Sequence, residues 1–381
     1  MKKRVLAVLL CGCMGASLLA GCGDKAAETT TPDASTEEGG TEAEATKADS
    51  EGGYHYEVVV KSFQSSYWQA AVKGIEEAEA ELGVTANTTG PNSESDIADQ
   101  VNMLTNAINS EPDGIGLAAC DQSSVLDALQ VALDKEIPVV CFDAGVPDAP
   151  EGSVLSTIVT DNYSAGAIAA EHIYAAVKDK IASATSPVRV GEINQDATSS
   201  NITQRGLGFI DKFIELCKAD GKTAGVTGND YFVSGVKEAD DAASADVVIE
   251  VAVPAQTTVE LCATEASNIL SKADTIAVFG SNQVSAEGVL TANGNLNVLS
   301  SDAANGIVAA GFDAGKTIKA AVKDKTLLGA VTQSPKAMGK LTIETLYKIN
   351  QGETVEDIPT DGYWYDDTNM EDPDIAPNLY D

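Results

Sequence analysis

The sequence predicts an α/β protein of two similar lobes, each a doubly wound parallel sheet. Three observations predict it. Apolar β-branched runs alternate with helix-period segments along most of the 381 residues, the rhythm of a parallel sheet covered by helices on both faces. That rhythm restarts after residue 160, in a chain long enough for two to three domains. Three central strands also end on hydrogen-bonding groups. IPVVCFDAG (137–145) breaks at Asp143, TIAVFGSN (275–282) ends on Asn282, and GIVAAGFDAG (306–315) ends on Asp313. Runs this apolar are strands buried on both faces, and in open α/β sheets ligands bind outside the carboxyl ends of the strands. Asp and Asn also favour turns and helix N-caps on their own account, so each residue alone has two readings. Together they suggest a cleft for a polar ligand.

The elements follow in order. The first lobe reads as a strand at 56–62, a helix at 67–82 ended by Gly83, a strand at 84–88 and a helix at 95–109. Ile97, Val101, Leu104 and Ile108 fall on one face of that second helix. A strand at 114–119, a helix at 124–135, the strand of the 137–145 stretch and a short strand at 154–159 complete this half. The second half reads as helix 164–180, strand 188–193, helix 200–218, strand 247–253, helix 257–270, strand 275–279, helix 284–292 and strand 307–312. A strand at 328–332, a helix at 335–349 and an extended piece at 362–365 do not fit a simple string of two beads.

The N-terminus reads as an export signal. Met1-Lys2-Lys3-Arg4 is a positive n-region, and 5–19 is apolar but short and punctuated by glycine. It ends in Leu18-Leu19-Ala20-Gly21-Cys22, which resembles a bacterial lipobox and implies cleavage after residue 21 and lipidation of Cys22. Residues 23–53 are almost free of large apolar groups and carry nine acidic residues against two basic ones. Such a stretch cannot bury enough surface to fold and reads, with Cys22, as a flexible acidic tether over 22–53. The n-region carries +3 and the tether −7, so about −30 of the net −34 falls on residues 54–381. That balance argues against nucleic acid, which requires cations to displace counterions.

Motifs for other functions fail in context. Gly114-Ile115-Gly116-Leu117-Ala118-Ala119 matches a dinucleotide fingerprint, but its glycines lie inside the strand instead of after it. No P-loop or nucleophile elbow occurs, and two histidines, His55 and His172, leave little for a His-based triad. No cysteine pair of the folded part has metal-ligand spacing. No metal and no cofactor are therefore expected. Cys120 and Cys141 sit near the ends of neighbouring strands, where they can meet or pack as small hydrophobes. Asp143 and Asp313 can be read as a hydrolytic carboxylate pair. Ser65-Ser66-Tyr67-Trp68 follows the first strand, at the switch point of a 2-1-3-4-5 sheet, where two aromatic faces suit a sugar ring or pack in the core.

With these stretches the chain resembles the sugar-binding lipoproteins of bacterial ABC importers, the ribose-binding cluster of the type I periplasmic-binding-protein fold. The resemblance covers about 56–365. It rests on VVVKSFQSSYWQAAVKGIEEAEAELG, IPVVCFDAGVP, TDNYSAGAIAAEHI, QRGLGFIDKF, FGSNQVSAEG, GFDAGK and AVTQSPKAMGK, in the family's order. It implies two lobes joined by a hinge: 54–161 with about 334–358, and 162–333 with about 359–381. It implies that the aromatic clamp falls on Tyr67 and Trp68, and the sugar-hydroxyl partners on Asp143, Asn282, Asp313 and Gln333. Ser65, Asp196 and Asn162 are further ligand-binding candidates, the last two near the hinge or second-lobe rim. Two arginines of the family's ribose binders correspond to Ala144 and Thr203, which departs from a ribose site. Arg205 is expected in a structural ion pair at a helix start. The implied function is a non-enzymatic, monomeric receptor, lipid-anchored outside the cell membrane. It would capture a small neutral ligand, a monosaccharide, for an ABC permease. The rival functions are a sensory receptor of the same fold and a carboxylate-pair glycoside hydrolase.

Overall fold

The structure is a computed structural model that describes residues 53–380. The signal, Cys22 and nearly all of the tether lie outside the described residues. Among those described, no helix is long and apolar enough to cross a membrane.

The first part of the chain forms β1 (His55–Val59), α1 (Ser66–Leu82), β2 (Thr85–Thr89), α2 (Ile97–Asn109), β3 (Gly114–Leu117), α3 (Leu126–Asp134), β4 (Val139–Phe142) and β5 (Ser156–Thr160). The second forms α4 (Asn162–Ser183), β6 (Val188–Ile193), α5 (Ser200–Ala219), β7 (Ala224–Gly228), α6 (Asp230–Gly235), β8 (Val247–Ala252), α7 (Val259–Leu270) and β9 (Thr275–Gly280). After these come α8 (Gln283–Leu296), β10 (Val308–Phe312), α9 (Lys316–Lys323), β11 (Gly329–Thr332), α10 (Pro335–Asn350), β12 (Ile358–Thr360) and β13 (Tyr363–Tyr365).

The strands make two sheets, in the orders β12-β5-β4-β3-β1-β2 and β13-β11-β10-β9-β6-β8-β7. All neighbours are parallel except β13, which runs antiparallel to β11. Each sheet contains the 2-1-3-4-5 order, so β4 and β10 hold equivalent places in the two lobes. Both strands lead into the same four residues, Phe-Asp-Ala-Gly.

Two corrections to the sequence reading have local causes. The β7–α6 unit was not anticipated, because AGVTG has little β propensity and a six-residue helix shows no period; pairing with β8 holds β7 in place. The two-turn helix α9 escaped for the same reason of length.

The chain passes between the sheets three times: from Thr160 to Asn162, from Thr332 to Pro335, and from Thr360 to Tyr363. Because β12 joins the first sheet, the third passage falls at 361–362 instead of after 358. These passages exchange helices. α4, which follows β5, packs on α5 of the second lobe, and α10, which follows β11, packs on α1 of the first. Glycines permit both close approaches: a Cβ at Gly74 would lie 1.9 Å from the Lys336 carbonyl, and one at Gly208 would lie 2.0 Å from the Tyr163 carbonyl. The first lobe is thus covered partly by a helix from the last part of the chain.

Candidate interlobe binding site

The site is built on the repeated strand ends. Asp143 and Asp313 both have left-handed backbones, with φ of 62° and 72°, a conformation short polar residues tolerate better than others. Each turn is pinned to the neighbouring strand: the Asp143 N–H donates to the Ile158 carbonyl at 3.0 Å, and the Asp313 N–H to the Val331 carbonyl at 2.7 Å. The left-handed step takes the residue out of the ladder and brings its carboxylate to the wall of a cleft between the lobes. The cleft is narrow and partly open to solvent.

From the first lobe, α1 supplies Tyr67 and Trp68. The Tyr67 hydroxyl donates to Asp143 Oδ1 at 2.5 Å, and Trp68 Nε1 donates to Glu94 Oε1 at 2.8 Å. Both rings also pack in the first-lobe core, Trp68 edge-on to Phe142, so the core and cleft readings hold together. The other Asp143 oxygen lies 3.2 Å from Lys61 Nζ and accepts from Asn201 Nδ2 at 3.0 Å. Lys61 also donates to Asn201 Oδ1 at 2.9 Å. Burial opposes its charge, but the carboxylates of Asp143, Glu94 and Asp196 more than offset that and hold its pKa above the usual range.

The second lobe answers across the cleft. Gln195 donates to Glu94 Oε2 at 2.6 Å and accepts from the Asn282 amide, giving a chain Trp68–Glu94–Gln195–Asn282. Asn282 also caps α8 in a reciprocal box with Ser285, so its turn-forming and cleft-lining roles coexist. Asp313 accepts from the Gln283 backbone N–H at 2.9 Å and from Gln333 Nε2 at 2.8 Å. Gln333 in turn accepts from Thr160 at 2.8 Å, joining two of the interlobe passages. Burial raises the pKa of both Glu94 and Asp313.

Tyr67, Trp68, Asp143, Asn282, Asp313, Gln333 and Ser65 therefore share one cleft. Two other candidates are not on its wall. Asp196 folds onto Thr198 and Ser199 in a local turn, and Asn162 accepts two bonds from Arg205. Arg205 itself is a correction. It is the sixth residue of α5, buried, and among the described residues it pairs with no carboxylate. It bonds Asn162 and the Ser281 carbonyl, and its guanidinium lies 3.5 Å from the centre of the Phe312 ring. The cleft residues that the sequence analysis did not single out are Lys61, Glu94, Gln195, Asn201 and Gln283. All follow the carboxyl ends of strands, the one signal that could have found them. Cys120, Cys141, Cys217 and Cys262 are buried and free, so Cys120 and Cys141 pack as small hydrophobes.

The model of the periplasmic binding protein domain matches residues 56–354. The chain belongs to the periplasmic binding protein family. Its two lobes and three passages are those of the type I form. It is 30% identical over 240 residues to the ribose import binding protein of Haemophilus influenzae, covering 62% of this chain and 66% of that one. It is 26% identical over 299 residues to the ribose import binding protein of Bacillus subtilis, covering 78% and 82%. Among solved structures it is similar to a Brachyspira murdochii protein described as an ABC transporter, LacI family transcriptional regulator (32% identity, TM-score 0.70, 86% of this chain and 99% of that one). It is also similar to an ABC transporter solute-binding protein of Agrobacterium vitis with bound D-fucose (27% identity, TM-score 0.68, 86% and 100%).

Proposed function

We propose that this chain is the extracytoplasmic solute-binding protein of an ABC importer and that it captures a neutral monosaccharide between its lobes. The observation that carries the proposal is the pair of equivalent acids, Asp143 and Asp313, facing one cleft beside Tyr67 and Trp68. Carboxylates accept from sugar hydroxyls, amides of Asn201, Asn282 and Gln333 can both donate and accept, and aromatic faces cover the C–H face of a ring. Three carboxylates, Glu94, Asp143 and Asp313, stand against two cations. Lys61 is committed to Asp143 and Asn201, and Arg205 to Asn162 and Ser281. An anionic ligand would find no uncommitted cation there.

Hinge closure at the three passages would present a changed surface to the permease, and the reading requires no catalysis. The lipobox at Cys22 supplies the anchor and 22–53 the tether. The ligand is tested by a thermal-shift panel of pentoses and hexoses, including D-ribose and D-fucose, since a ligand bound only by the folded state raises its melting temperature. A flat response across the panel would sink the sugar assignment. Anchoring is tested by Cys22→Ala, which should abolish lipid labelling; retained labelling would refute it.

A further inference from the structure

After β13 the chain returns to the hinge. The Asn378 carbonyl accepts from Thr332 Oγ1 at 2.7 Å, and Asn378 Oδ1 accepts from Ser334 Oγ at 2.6 Å. Both donors belong to the second passage between the lobes. Two residues further on, Tyr380 is held at three points. Its backbone carbonyl accepts from Lys319 Nζ of α9 at 2.8 Å. Its hydroxyl accepts from the Ala314 N–H at 3.2 Å. Its ring stands edge-on to Tyr67, with centroids 5.9 Å apart and planes at 78°. Tyr380 packs against the apolar clusters of both lobes.

These contacts converge on the binding groups. Ala314 follows Asp313, whose own carbonyl accepts from the Tyr365 hydroxyl at 2.8 Å. The second-lobe acid turn is therefore fastened on both sides by tyrosines from the last part of the chain. Tyr67, on the other face of Tyr380, carries the bond to Asp143. Burial, and after it the nearby Asp313 carboxylate, push the Tyr380 phenol well up, so it stays neutral and available as a hydrogen-bonding hydroxyl.

We propose that Tyr380 is a positioning residue of the ligand site, coupling the Tyr67 aromatic of the first lobe to the Asp313–Ala314 turn of the second. The segment 366–380 then acts as a strap that sets how firmly the lobes hold their ligand. The affinity consequence rests on the sugar-binding reading above; the coupling between lobes does not.

The test uses Tyr380→Ala and Tyr380→Phe in the full chain, with two readouts. In native-state hydrogen exchange without sugar, Tyr380→Ala should speed exchange at Ala314 and also at the first turn of α1 in the opposite lobe. Tyr380→Phe, which keeps the ring, should speed Ala314 alone. In calorimetric titration with whichever of D-ribose or D-fucose stabilises the wild type, Tyr380→Ala should bind roughly three- to tenfold more weakly, the worth of an aromatic pair. Faster exchange confined to the second lobe would reduce Tyr380 to a local plug and overturn the proposal, as would full affinity in Tyr380→Ala. If neither of these sugars nor any other of the pentose and hexose panel binds the wild type, the ligand reading has failed, and the exchange at α1 still decides the coupling.

Discussion

Asp143→Asn is the most informative substitution at this site, because it preserves volume and removes one charge from a closed network. Lys61 is 1% exposed and its nearest counter-charge is Asp143, 3.2 Å away. Without it the ammonium keeps one bond, to Asn201 Oδ1, and Tyr67 loses a charged acceptor. Removing one partner of a buried ion pair costs about 3–5 kcal/mol. Glu94 and Asp196 also support the Lys61 charge, which places this case near the lower end, about 3 kcal/mol. At roughly 2–4 °C per kcal/mol for a large domain, the melting temperature should fall by roughly 6–12 °C. Differential scanning calorimetry on the wild type, Asp143→Asn, Lys61→Met and the double variant measures the coupling. The double variant should recover at least half the loss, since replacing both members of a buried pair is often neutral. An unchanged melting temperature in Asp143→Asn, or a double variant no more stable than the single one, would refute the reasoning. Either result would mean that Lys61 is not sustained by Asp143.

Three further outcomes are expected. Trp68→Ala should cost about 3–5 kcal/mol of stability as a core truncation and weaken sugar binding as well; Trp68→Phe keeps most of the packing but loses the bond to Glu94, so full affinity in that variant would confine Trp68 to the core. Glu192 is fully buried with one oxygen unpartnered, and burial raises its pKa well above the ordinary 4.5. Above 4.5 the native state therefore binds a proton that the unfolded chain does not, so stability should fall as pH rises from that value. Thermal melts of Glu192→Gln should show a shallower slope, and an unaltered slope would contradict the assignment. Paired calorimetric titrations of D-ribose and D-ribose 5-phosphate, at low and high salt, should show no binding of the phosphate; tighter binding of the phosphate at low salt would overturn the account of the cleft's charge.

The sequence by itself determined the repeated architecture, because the signals are local. Strands buried on both faces must be apolar along their length, as Val139–Phe142 and Val308–Phe312 are, and the helices between them must keep an apolar stripe. It also placed Asp143, Asn282 and Asp313 at strand ends, where the sheet topology turns position into function. The Tyr67–Trp68 pair stands in the sequence at the expected switch point, Gln333 came only through family resemblance, and the structure brings them to the same cleft.

What only the tertiary structure decided depends on residues far apart in the chain. Lys61, Glu94, Gln195 and Asn201 are ordinary polar residues until two lobes face one another; nothing near Glu94 in sequence shows that Trp68 and Gln195 will bond it. Arg205 reads as an ion-pair residue at a helix start, yet α5 is roofed by α4, and its guanidinium is buried against Asn162, Ser281 and Phe312. β7 had too weak a local pattern to be seen, because its stability comes from pairing with β8. The return of Tyr380 to Tyr67 was equally invisible. It depends on a sequence separation of more than three hundred residues, which only the packed lobes can close.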